Sequence, residues 1–179
     1  MTITDAQGRP EAPVSGDETA MLLGFLDYHR ATFAWKVEGL DAGGLQKTVG
    51  ASDMTLGGMI KHLALVEVSW FAENLFHRPL GEPWDSVNWD ADYDWDWHSA
   101  ADDTPEELLA LWRESVDRAR ACTAEALEDG GLDRPADRRR KNGRTPTLRW
   151  IVLHMIEEYA RHNGHADLIR ESIDGATGE

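Results

Sequence analysis

Four side chains able to bind a metal or move a proton stand close together near the C-terminal end of the chain: His154, Glu158, His162 and His165. The first three are spaced four residues apart, and residues four apart on a helix lie one turn above each other on one face. At about 100° per residue, the surrounding stretch LRWIVLHMIEEYARHNGHADLIRESIDG gathers Val152, Met155, Ile156, Tyr159, Ala166, Ile169 and Ile173 into one apolar face. His162 falls inside that face, Glu158 at its flank, and His154 and His165 at its edge. An unpaired buried charge is too costly to persist, so such groups must be paired, neutralised or bound to a metal.

Glu158 and His162 are spaced to hold one ion from a single helix, and His62, on an earlier helix, could complete the set. Two imidazoles and a carboxylate suit Zn2+, Ni2+ or Fe2+. Three protein ligands leave a position for water or substrate, as catalytic sites do. The same spacing also fits a structural role, with His162 hydrogen-bonded in the core and Glu158 paired with an arginine. His154, one turn before Glu158, is a candidate fourth ligand or outer neighbour. Glu67 could accept the second N–H of a ligating imidazole or pair with Arg170. His29 lines a cavity or sits in the core. Cys122 reads as a core residue, with no basic partner beside it on its helix. The basic run Arg138, Arg139, Arg140 and Lys141 reads first as a solvated loop and second as a seat for an anionic cofactor.

These residues need helices to position them. Apolar residues recur at three- and four-residue steps over 17–38, 55–76, 104–127 and 148–175. Thr104-Pro105-Glu106-Glu107 is a strong helix start, with a cap, a proline at the first position and a glutamate three after the cap. Between the second and third helices, residues 81–103 form a long acidic, Trp-rich connection without helical period. Trp84, Trp89, Trp95 and Trp97 are costly to leave in water and are expected to fold back as a pocket wall or a dimer contact. Residues 1–16 read as a flexible tail, and 17–175 as a single all-α domain, a four-helix bundle.

The chain has 179 residues, with 33 acidic against 18 basic side chains and a formal charge of -15. That balance offers no basic field to phosphates, which argues against nucleic acid and against anionic membrane. No apolar run is long enough to span a bilayer, and the first residues lack signal-peptide features. A cytoplasmic location is the default expectation. One cysteine excludes an intramolecular disulfide and a cysteine-rich zinc site. A di-iron bundle would need two Glu-x-x-His elements, and the sequence lacks them.

The segments GGMIKHLALVE and LHMIEEYARHNGHADLIRE resemble the DinB/YfiT-like superfamily, in particular its actinobacterial branch. More distantly they resemble the mycothiol-dependent maleylpyruvate isomerase N-terminal domain. The resemblance covers nearly the whole chain after residue 16. It implies a divalent metal, Zn2+ foremost with Ni2+ or Fe2+ as alternatives, held by His62, Glu158 and His162. The isomerase branch uses Glu then His at the last two positions, as here. His165 stands where many members have a glutamine. The resemblance further implies a low-molecular-weight thiol such as mycothiol, activated by the metal to attack a small electrophile, so that the protein is an S-transferase or isomerase. The alternative is a non-catalytic metal-binding or ligand-sensing bundle that dimerises. Bundles of this kind often pair through helix faces, which makes a homodimer a reasonable expectation.

Overall fold

The structure is a computed structural model that describes residues 3–140 and 143–177. Lys141, the last residue of the basic run, lies outside the described residues. The described chain is all-α, and its only β features are isolated bridges, Thr4 with Pro10 and Pro135 with Thr147. The four long helices expected from periodicity are present as α1 (Glu18–Val37), α3 (Leu56–Val68, with a continuation), α5 (Pro105–Glu128) and α6 (Leu148–Asp174). Two one-turn helices join them, α2 (Ala42–Leu45) and α4 (Trp95–His98). No described helix is long and apolar enough to cross a membrane. The chain forms two compact units, residues 1–39 with 152–179 and residues 40–151, so the division falls inside α6.

The first unit holds α1 and most of α6. Asp17 caps α1 by accepting from the Ala20 N–H at 2.8 Å, meeting one of the donors a helix start leaves open. Phe33 meets Tyr159 edge-on, with centroids 6.2 Å apart. Lys36 is buried on α1 and pairs with Asp167 on α6 at 2.8 Å. Arg170 donates to the carbonyls of Lys36 and Glu38 at 3.0 Å each, which serves the carbonyls that a helix end leaves unpaired. Part of the N-terminal stretch read as a flexible tail lies against α1 through Arg9. Arg9 is buried there, bound to Asp5 at 2.7 Å and stacked over Tyr28 and Trp35. Gly24 permits the close approach: a Cβ there would lie 2.3 Å from the Pro13 ring.

In the second unit α3 packs chiefly against α5. Both starts are capped, α3 by Thr55 on the Gly58 N–H and α5 by the reciprocal Thr104–Glu107 box that its sequence predicts. As expected, α3 is buried on nearly all sides, including Met59, Ile60, Leu63, Ala64 and the carboxylate-bearing Glu67. The second long helix departs from regularity after Val68, where Ser69–Asn74 adopt π geometry. Asn74 returns its side-chain amide to the Ser69 carbonyl at 2.7 Å, occupying an acceptor that a regular α-helical turn would use. Such π insertions bend and widen helices and are frequent at functional sites.

The Trp-rich connection contains three short helical turns: Trp84–Ser86, α4 and Ser99–Ala101. Trp84 is fully buried and meets the edge of Trp95 at 6.1 Å, and Trp89 meets Trp95 at 6.3 Å. Burial of Trp84 folds the segment inward, and Asp96 is buried with it while Trp89 and Trp95 are half-buried.

Candidate functional site

In the second unit, α3 presents His62 to the Trp-rich segment. Its Nδ1 lies 2.8 Å from Asp96 Oδ2. An ionised carboxylate only accepts, so in this pairing Nδ1 is the donor and Nε2 is the nitrogen a neutral ring offers as a ligand. The imidazole stacks on Trp97, with centroids 4.8 Å apart and planes 28° apart. That stacking depends on Gly58, one turn earlier on α3: a Cβ there would lie 2.7 Å from Trp97 Cε3. The sequence pattern Gly58-x3-His62 therefore clears the space in which the tryptophan rests against the imidazole. A carboxylate that fixes a histidine's tautomer and ring plane is the outer support that ligating imidazoles require.

His62 lies at one wall of a cleft of about 910 Å³, bounded also by Trp70, Trp89, Tyr93, Trp97 and the three arginines Arg138, Arg139 and Arg140. The π segment supplies Ser69, Trp70, Glu73 and Asn74 to the same wall. The arginine run is laid there by the backbone: Asp137 N–H donates to the Leu75 carbonyl at 3.0 Å and Arg138 N–H to that of Asn74 at 3.1 Å. Arg134, buried beneath, donates to the Leu75 and Pro135 carbonyls and to Asp137. Arg138, Arg139 and Arg140, expected first as a solvated loop, are exposed and also line the cleft.

In the first unit, α6 aligns its chemistry as the helical wheel predicts. His162 is buried, Glu158, His154 and His165 are half-buried, and Val152, Met155, Tyr159, Ala166 and Ile169 are buried beside them. Glu158 Oε2 lies 3.7 Å from His162 Nε2, and Glu158 Oε1 lies 3.4 Å from His154 Nε2. His154 Nδ1 also meets Glu157 at 3.2 Å. These three, His154, Glu157 and Glu158, bring their ligating atoms within 4.8 Å of one another, but Glu157 is exposed and already shared with Arg161. The His165 ring meets His162 edge-on, with centroids 5.6 Å apart. His165 Nδ1 is buried with no hydrogen-bond partner among the described residues.

Other candidates fall elsewhere. His29 on α1 receives the Asn163 side chain of α6, at its carbonyl (3.1 Å) and at Nδ1 (3.4 Å). Burial holds its pKa below the usual histidine value, so this half-buried residue is neutral at pH 7. Glu67 is fully buried. Asp96 is the partner at His62 Nδ1, and Arg170 is engaged with Asp174 and the end of α1. Cys122 does have a basic neighbour: Arg78 reaches its sulfur at 3.8 Å from outside its helix. Burial nevertheless raises the thiol pKa, against the pull of Arg78, and the residue stays a thiol at neutral pH. Asp96 is the partner of His62 that sequence reasoning misses. Its only signal is its place between Trp95 and Trp97, rings that are costly to leave in water.

An all-α chain with these elements and an imidazole–carboxylate helix is of the DinB/YfiT-like type. The model of the family described as Mycothiol-S-transferase matches residues 21–175, and the chain belongs to that family. A search of the curated proteins finds no match.

Proposed function

We propose that the protein transfers the sulfur of mycothiol to a small electrophilic carbon, or isomerises such a compound by reversible addition, at a divalent metal held by His62, Glu158 and His162. The observation that carries the metal is the Asp96–His62 pair. A buried carboxylate fixing Nδ1 as the protonated nitrogen commits Nε2 to ligation, and it supports a ligand more directly than a core histidine would require. The donor set, two neutral imidazoles and one carboxylate, fits Zn2+, with Ni2+ and Fe2+ as alternatives. The family supports the thiol. When bound, the ion lowers the pKa of a coordinated thiol so that the thiolate forms at neutral pH.

The chain's own residues do the rest. Asp96 and Trp97 hold the His62 ring in one plane. Glu158 supplies the negative charge that offsets a dication, and the apolar α6 face around His162 lowers the local dielectric and strengthens that attraction. Trp70, Trp89 and Trp97 wall the cleft beside His62 and limit water there. In this reading the helices form one four-helix bundle domain over 17–175 in a cytoplasmic protein, and His154 and His165 stand outside the ligand set.

The test pairs metal analysis with turnover. Mass spectrometry of untagged protein should find about one divalent ion per chain, as a three-ligand site predicts, and none in His162→Ala. Mycothiol conjugation to 1-chloro-2,4-dinitrobenzene should be lost in the same variant. Conjugation that persists after the metal is removed would overturn the metal-dependent mechanism.

A further inference from the structure

The cleft beside His62 holds charge that the site reading does not use. Arg138, Arg139 and Arg140 all line it. Arg138 pairs with Glu73 across the wall. No carboxylate among the described residues pairs with Arg139 or Arg140. In a chain with 33 acidic side chains, two cleft arginines without an acid partner stand out. Asp96 is engaged by His62, and Asp94 is the remaining acid on the wall.

Arg140 is also placed by aromatic contacts. Its guanidinium lies 4.9 Å from the Trp150 ring centroid and 5.6 Å from that of Trp70, and those rings lie 5.3 Å from each other. Stacking uses the face of a guanidinium and leaves its N–H edge able to donate to an oxyanion. Arg140 N–H donates to the Arg144 carbonyl, and Gly143 N–H donates to the Arg140 carbonyl. The remaining walls are flat aromatic rings, Trp70, Trp89, Trp97 and Tyr93. A volume of about 910 Å³ accommodates a small organic molecule.

We infer that this cleft binds the electrophilic substrate, and that the substrate is a flat, conjugated carboxylate whose oxygens meet Arg139 and Arg140 while its body stacks among the tryptophans. The inference rests on the reading of His62 as part of the reacting centre, since it is His62 that places the cleft beside the chemistry. A planar carboxylate suits arginine because the fork of N–H donors matches its two oxygens. The same walls would hold a neutral flat molecule without orienting it. The charged end thus selects one class and fixes which end of the molecule faces His62.

The test measures binding rather than turnover, with 2-naphthoate and its neutral analogue 2-naphthamide as probes in isothermal titration calorimetry on the full chain. Naphthoate should bind at least about tenfold more tightly, as expected for a charge-assisted pair. Arg139→Gln, at an exposed side chain with no acid partner, should fold normally and erode the preference. Arg139→Gln with Arg140→Gln should abolish it, and Arg140→Lys, which keeps charge but not the fork, should fall between. Equal affinity for the two probes in the wild-type protein would overturn the inference. So would a preference that survives the double variant and disappears on chelation with EDTA, because the carboxylate would then be bound by metal. Metal content, read separately, tells failure of the metal site from failure of the arginine seat.

Discussion

Two histidines of the second unit hold aspartates by the same atom at nearly the same distance. His62 Nδ1 is 2.8 Å from Asp96, and His98 Nδ1 is 2.9 Å from Asp92. Their surroundings differ. The Asp96 side chain is 6% exposed and the His62 ring lies against Trp97, whereas the Asp92 side chain is 34% exposed and that of His98 67%. Water competes for the second pair at every moment, so its bond sets the charge state of His98 without holding the ring. In the first pair the carboxylate has little water to return to, and the ring has a fixed plane. One hydrogen-bond motif thus makes a positioned imidazole in one place and an ordinary titrating surface group in the other, and burial decides which.

The largest effect tests what buries Asp96. Trp84 is fully buried at the start of the segment that carries both aspartates. Trp84→Ala should cost about 3–5 kcal/mol of stability, as large-to-small core changes do, measured by urea unfolding. The His98–Asp92 pair is local to its own turn and should persist. A loss below about 1 kcal/mol, the size of a surface change rather than a core one, would mean that the tryptophans do not hold the segment inward.

Next comes the support itself. Asp96→Asn keeps the shape of the acceptor and removes its charge. Metal affinity should fall about 10- to 100-fold, as for other outer supports of ligating histidines, in competition titrations with a chromophoric chelator. Asp92→Asn should leave that affinity unchanged. Equal effects of the two substitutions would erase the contrast between the pairs.

A smaller effect tests the space in which the His62 ring is held. Alanine favours a helix over glycine by about 1 kcal/mol, so propensity alone makes Gly58→Ala stabilising. The new Cβ would meet Trp97 at 2.7 Å. Overpacking costs about 1–3 kcal/mol, so thermal unfolding should show a net loss and Trp97 should leave the imidazole. A gain in stability would show that Trp97 yields freely and does not hold the ring.

The contrast also explains what was readable in advance. α6 could be read from period alone, because a helix fixes the relation of Glu158 to His162 within one turn. The wheel positions of His162 and His154 follow from sequence spacing and nothing else. The four long helices and their starts were legible for the same reason, from Asp17 at α1 to Thr104 at α5. Asp96 could not be found this way. It lies 34 positions from His62, and their meeting depends on how the Trp-rich segment packs, which no local period encodes. Glu67, on the α3 stripe, was the candidate that spacing offered, and the partner at His62 Nδ1 comes from the irregular segment. The π turn at Ser69–Asn74 and the backbone bonds that lay Arg138 against Asn74 are tertiary in the same sense. Arg9 escaped for another reason: a Pro- and Gly-rich stretch reads as a tail unless the aromatic pair Tyr28 and Trp35 that receives its guanidinium is known.

The smallest effect sharpens the exposed member of the comparison. The hydrogen bond to Asp92, and then the charge of that carboxylate, raise the His98 pKa above its usual value of 6.5, with Asp94 and Asp96 adding to the pull. A raised folded-state pKa means the folded protein binds the proton more tightly than the unfolded chain. The stabilisation is therefore fully present below the unfolded pKa and is lost as pH rises through the folded one. Full exposure keeps it small. Wild type should exceed His98→Gln in stability most clearly on the acid side of pH 6.5, and the difference should shrink above it. Proton NMR titration of the His98 ring should give a midpoint above 6.5 in the wild type and closer to 6.5 in Asp92→Asn. A midpoint that Asp92→Asn does not move would mean that solvent screens the pair completely.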